Sequence, residues 1–361
     1  MRRLSAVLVL AMLTIVLLPF DLRPCTTFCF KSNGEWIFGR NYDFETEAGL
    51  IIVNKRGVAK TALLQPGTVG QPAKWVSKYG SVTFNQFGRE LPLGGMNEAG
   101  LVIELMWLTQ TEYPNADRRP TLRELQWIQY QLDTAATIQD VIASDKAIRI
   151  EVNEGTPIHF LLCDRKGGAA AIEFLGGRMR AYTGKDLPIK ALTNSTYEYC
   201  LDFLKLSGAN EAQPSFKQAD NSRRRFVYAA KGIEAWDAKA SGDPVGHAFG
   251  ILDKCDFPNS KFRIVYDVKA GVIHFRTAST PNVRTIDFRK FDFSCGTPVK
   301  MLDMLADLKG DVSGQFQDYA WEANYNLIKK AFSETGFLKN TPELAMTILA
   351  KYPDGLRCKQ E

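Results

Sequence analysis

Cys25 is the residue of this 361-residue sequence around which chemistry is most readily arranged. It directly follows a stretch, 1–24, with the layout of a secretory leader: Arg2 and Arg3, an uncharged and largely apolar run from 4 to 18, then Pro19-Phe20-Asp21-Leu22-Arg23-Pro24. A cut after Pro24 makes Cys25 the first residue of the chain, carrying both a thiol and a free α-amine. A thiol reacts as the thiolate, so it needs a base or a lowered pKa. An α-amine, with a pKa of about 7.7–8.0, is partly unprotonated near neutrality. One residue then supplies both nucleophile and base. Proline is a poor residue before a signal-peptidase cut, so cleavage upstream followed by trimming or self-processing is expected. The mature chain is expected to be secreted or periplasmic.

Other catalytic sets are missing. His159, His247 and His274 lie far apart without HExxH spacing, and the seven cysteines (25, 29, 163, 200, 255, 295 and 358) contain no CxxC pair, so no metal site is expected. There is no GxSxG elbow, phosphate-cradling GxxxxGK[ST] loop or GxGxxG turn. An odd number of cysteines leaves at least one outside intramolecular disulfides. The plain reading of Cys25 is half of a disulfide, with Cys200 or Cys255 as partner. Lipidation is a second alternative, but Leu22-Arg23-Pro24 lacks the small residues such processing uses, and acylation would remove the base.

Charge and hydropathy narrow the class further. Removing 1–24 removes three arginines and one aspartate, taking the formal charge from +5 to +3. Arg223-Arg224-Arg225 is the only basic cluster, so a nucleic-acid partner is not expected. The apolar run is shorter than the ~20 residues that span a bilayer, and no later segment approaches that length, so no stable membrane span is expected after processing. With 45% hydrophobic and 24% charged residues, the sequence is that of a globular protein.

The elements that must position Cys25 begin at once. Residues 26–30 are β-prone, Ser32-Asn33-Gly34 is a turn signal, and 35–40 returns, which predicts a hairpin. Further strands are predicted at 50–53, 81–85, 101–107, 158–163, 171–174, 178–182, 262–268, 272–277 and 285–288. Thr121 and Glu124 have capping-box spacing before a helix with Leu125, Ile128 and Leu132 on one face. Other helices are predicted at 197–206, 222–236, 317–332 and 342–352. Antiparallel strands with helices between them indicate an α+β fold of two sheets packed between helices. No repeat or Pro/Ser-rich linker interrupts 25–361, so a single catalytic domain is expected there.

The string Cys25-Thr26-Thr27-Phe28 followed by Phe38-Gly39-Arg40-Asn41-Tyr42-Asp43-Phe44 resembles the opening of the choloylglycine hydrolase family, N-terminal-nucleophile (Ntn) amidases that include bile salt hydrolases and penicillin V acylases. Gly95-Met96-Asn97-Glu98-Ala99-Gly100-Leu101, Leu192-Thr193-Asn194-Ser195 and Arg225-Phe226 follow in the family's order. The resemblance implies a four-layer αββα Ntn sandwich and cleavage of a linear, non-peptide amide C–N bond without metal or organic cofactor. It further implies that Cys25 is nucleophile and base, that Arg40 favours the thiolate, and that Asp43 orients the amine. Asn194 would donate to the oxyanion, and Arg225 would support the site. Asn194 also lies in an N-x-[ST] sequon, and Arg223 or Arg224 competes with Arg225 for its place.

Trp107, ten residues after Asn97, falls where bile salt hydrolases carry asparagine and penicillin acylases tyrosine. Its N–H could serve the oxyanion while its indole reshapes the pocket. A hydrophobic acyl group on a small amide is the expected substrate, with N-acyl-homoserine lactones as an alternative. The rival from another class is a non-catalytic secreted binding protein on the same fold. A homo-oligomer is compatible with the sequence.

Overall fold

The computed structural model describes residues 24–65, 67–151, 156–207, 210–237, 242–256 and 260–359. Residues 1–23, almost all of the stretch expected to be a leader, therefore lie outside the described residues. Two sheets carry the fold. The first has seven strands in the order Ala191–Leu192, Thr26–Ser32, Glu35–Asp43, Ser260–Asp267, Val272–Thr277, Arg284–Asp287 and Gly310–Asp311. The second has nine, running from Arg178–Thr183 through Ala169–Leu175, Ile158–Cys163, Val102–Trp107, Pro92–Asn97, Ser81–Asn85, Leu50–Asn54 and Lys300–Asp303 to Gln317–Asp318. Helices Asn221–Asp237 and Pro244–Lys254 cover the outer face of the first sheet, and helix Glu124–Thr134 packs against the second. The layers are thus helix, sheet, sheet, helix, as the sequence leads one to expect.

Strand Thr26–Ser32 illustrates why the sequence folds this way. Its aromatic residues face outward: the Phe30 ring lies 5.2 Å from that of Trp236 on a covering helix. Thr27 faces inward, its hydroxyl 3.1 Å from Met106 Sδ of the second sheet. With both faces covered, the central strands carry near-continuous apolar runs rather than alternation. The hairpin turns at Asn33 and Gly34, both at positive φ (51° and 83°), a conformation these two residue types adopt readily. Gly39 pairs with Phe28 across this hairpin, and a Cβ there would collide with the Phe28 ring. The packing thus accounts for glycine ahead of Arg40.

Two expectations require correction. Thr121 does not cap a helix: it lies in the short strand Thr121–Leu122, paired with Arg149–Ile150, and Arg123 precedes helix Glu124–Thr134 with no side-chain cap. A capping box occurs instead at Thr137 and Asp140, heading a helix, Ile138–Ser144, that was not predicted. The helix expected from 317 begins at Trp321, because Gln317–Asp318 extends the second sheet. Pro244–Lys254 was also missed, although Asp243 caps it and Pro244 opens it. The C-terminal helices Trp321–Glu334 and Glu343–Lys351 pack on each other through Ile328, Phe332 and Ala350.

Candidate active site

Cys25 immediately precedes the first strand, and its side chain is buried. Its Sγ lies 3.8 Å from the carbonyl oxygen of Asp43, the last residue of the neighbouring strand. Arg225, on helix Asn221–Asp237, reaches across the sheet end: Nη1 donates to the Cys25 carbonyl and to Thr26 Oγ1 (2.7 Å), and Nη2 donates to Asn194 Oδ1 (2.9 Å). This resolves the arginine triplet. Arg223 is turned away, paired with Asp220 and stacked on Tyr199 and Phe203, while Arg225 is buried against Cys25.

Asn194 follows the short strand Ala191–Leu192, which pairs with Thr27 and Phe28. Its Nδ2 donates to the Trp107 carbonyl at 2.9 Å, and its backbone N–H donates to Ser222 Oγ. A buried trio holds this turn: His159 Nε2 lies 2.7 Å from the Thr193 carbonyl, and its Nδ1 lies 3.0 Å from Glu173, which also accepts the Tyr197 N–H. His159 is therefore a scaffold residue.

Asp43 is fully buried, and one carboxylate oxygen accepts from Ser260. The other, Oδ2, has no hydrogen-bond partner among the described residues. Burial pushes its pKa up to about 7, with the Ser260 hydrogen bond and Arg225 opposing. Burial likewise raises the Cys25 thiol; Arg40 pulls it back most strongly, Asp43 adds to the rise, and Arg225 lowers it. Arg40, on the same strand as Asp43, is sealed between the sheets against Glu104. A lone acid within the apolar run Leu101-Val102-Ile103-Glu104-Leu105-Met106 was the signal that could have identified it.

Cys25 and Asp43 sit at the floor of a cleft. Leu93, Leu105, Ile158 and Trp107 line its sides, and Phe332, Phe337, Leu338 and Leu349 from the C-terminal helical region close it. The Trp107 and Phe337 rings meet edge to face, 6.3 Å apart. The structure thus brings Cys25, Asp43 and Trp107 to the cleft, with Arg40, Asn194 and Arg225 behind them. The alternative disulfides to Cys200 and Cys255 do not form: both thiols, like Cys25, are free, and Cys295 pairs with Cys358. Among the described residues, no group of three or more His, Cys, Asp or Glu could hold a metal, and no helix is long and apolar enough to cross a membrane.

Residues 25–233 match the model of the linear amide C–N hydrolases, choloylglycine hydrolase family. The chain belongs to this family. Choloylglycine hydrolases are linear amide C–N hydrolases of the Ntn type, which makes the present chain an amidase. Among its relatives is the penicillin V acylase of Pectobacterium atrosepticum, 27% identical over 339 residues that span 81% of this chain and 88% of the relative. The solved penicillin V acylase of Agrobacterium tumefaciens is similar with a TM-score of 0.69 and 26% identity, covering 82% of this chain and 98% of that one. A variant of the conjugated bile acid hydrolase of Clostridium perfringens shares the fold (TM-score 0.64, 17% identity, 77% and 96% coverage).

Proposed function

We propose that this choloylglycine hydrolase relative is exported, loses residues 1–24, and uses Cys25 as an N-terminal nucleophile on a small amide with a bulky apolar acyl group. Penicillin V and conjugated bile salts, the substrates in its relatives' names, are the reference compounds. The observation that carries the reading is the arrangement around the Cys25 backbone. Arg225 grips its carbonyl, and the Asp43 carboxylate beside it keeps one buried oxygen unmatched, suited to an α-ammonium that a cut after Pro24 creates. A buried acceptor without a donor costs about 1–3 kcal/mol, which an ammonium there would recover.

The steps follow from these positions. The α-amine takes the thiol proton, and the thiolate attacks the amide carbonyl carbon, whose oxygen becomes an oxyanion. Asn194 keeps a second amide N–H beyond the one given to Trp107, and with the Trp107 N–H it can donate to that oxygen, a role worth roughly 3–4 kcal/mol. The ammonium then protonates the leaving nitrogen, the C–N bond breaks, and an acyl thioester remains. Water, deprotonated by the amine, attacks the thioester; the C–S bond breaks, and the acid departs.

N-terminal sequencing of the exported protein, with turnover of Cys25→Ala on penicillin V, a glycine-conjugated bile salt and an N-acyl-homoserine lactone, tests this. The mature chain is expected to start at Cys25, and the variant to lose at least about a thousandfold in kcat/KM. Any other mature start, or full turnover by Cys25→Ala, overturns the reading.

A further inference from the structure

Between the sheets behind Cys25 lies an ion pair with no step of its own in the reaction. Arg40 is completely buried; its Nη1 donates to Glu104 Oε2 and to the Leu93 carbonyl (3.1 Å). Its Nε and Nη2 have no hydrogen-bond partner among the described residues. Glu104 comes from strand Val102–Trp107 of the opposite sheet, is equally buried, and accepts the Tyr266 hydroxyl on its other oxygen. Gly94 pairs with Glu104 in the sheet, and a Cβ there would run into the carboxylate. Strand, tyrosine and glycine together hold this carboxylate in one place.

We propose that Glu104 is a positioning residue for the amidase: by holding Arg40 in place beside Cys25, it sets the pH at which the Cys25 thiol ionises. This rests on the reading of Cys25 as the nucleophile. Arg40 pairs across the hairpin with the inward-facing Thr27, two residues from Cys25, and the groups acting on the thiol are Arg40 and Asp43 from that strand and Arg225 from the covering helix. Those acting on Arg40 are Glu104, Cys25 and Tyr42, and those on Glu104 are Arg40 and Tyr266. Glu104 is thus the carboxylate paired with the arginine that most strongly favours the thiolate. A cation buried without a counter-ion is strongly disfavoured, so the pair keeps Arg40 charged and in place.

Glu104→Gln keeps an oxygen for Tyr266 and removes the charge. In the mature protein, the alkylation rate of Cys25 by iodoacetamide, followed against pH by mass spectrometry of its peptide, reports thiol ionisation without turnover. Without its counter-ion Arg40 no longer keeps its place beside the thiol, so the midpoint is expected to rise by about one pH unit in Glu104→Gln. The acid limb of kcat/KM should move with it, while KM on the plateau stays within about twofold. Tyr266→Phe, which removes one of the contacts that hold the Glu104 carboxylate against Arg40, is expected to move the midpoint the same way by less. An unchanged or lowered midpoint in folded Glu104→Gln, or in Tyr266→Phe should the first variant not fold, overturns the proposal. Failure of the nucleophile reading would appear separately, as turnover surviving in Cys25→Ala.

Discussion

The floor of the cleft and its closing wall lie within one pocket but are held together by different forces. At the floor, hydrogen bonds join Cys25 to Arg225 and to the Asp43 carbonyl, and Arg40, buried against Glu104, lies behind it. The closing wall consists of Phe332, Phe337, Leu338 and Leu349, which present only apolar surface. The floor residues fall within the stretch that matches the family, 25–233, and the closing wall falls beyond it. Buried charge networks tolerate little geometric error, whereas apolar walls accept any partner of suitable size. This contrast leads us to propose that the floor sets the reaction and the wall sets which acyl group reaches it.

The sharpest way to break that division is at Arg225. Arg225→Ala removes the donors to Cys25, Thr26 and Asn194 together, and should cost about 3–4 kcal/mol in the transition state, roughly a few hundredfold in kcat. KM for an apolar-acyl amide should hardly change. A variant that keeps kcat and loses only KM would mean that the floor binds substrate and does not organise the reaction.

The closing wall offers the complementary test. Phe337 is half exposed beside Trp107, so truncation removes roughly half a phenyl's worth of burial, about 1–1.5 kcal/mol for a ligand that covers it. Phe337→Ala is expected to lower kcat/KM about tenfold for a long or polycyclic acyl amide and to leave an acetyl amide of the same amine unaffected. Equal losses on both would remove the wall from specificity.

The same contrast describes what the sequence made legible. Cys25, Arg40, Asp43, Asn194 and Arg225 are polar residues in short, ordered strings, and the strand hairpin that brings the first three together is encoded locally by Asn33-Gly34. Element order pointed to two sheets packed between helices, and the family resemblance implied the four-layer αββα arrangement. The wall was not, because Phe332, Phe337 and Leu349 look like any other apolar residues in helical segments. Only the long-range packing of those helices beside Phe87 and Leu93 turns them into a pocket. Glu104 was missed for a related reason: its partner lies 64 residues away on the other sheet. The Thr121–Glu124 spacing failed because strand pairing with Arg149–Ile150 outweighed a local cap.

The smallest expected effect concerns how the proposed cut after Pro24 and the floor are linked. While Pro24 remains attached, burial holds the Asp43 carboxyl near pH 7, well above its value of about 3.9 in an unfolded chain. The folded form therefore binds a proton between about pH 4 and 7 that the unfolded form does not. The resulting stabilisation is complete below the unfolded pKa and is lost as pH rises through 7. A cut after Pro24 places an ammonium beside Asp43, which compensates the carboxylate charge and lowers its pKa. The uncut chain should thus lose about 3 °C more in Tm than the mature chain between pH 5 and pH 8. Asp43→Asn should abolish that difference by removing the titrating group. Parallel Tm profiles for the two wild-type forms would mean that Asp43 does not meet the amine, and would leave the floor with a different partner for Cys25.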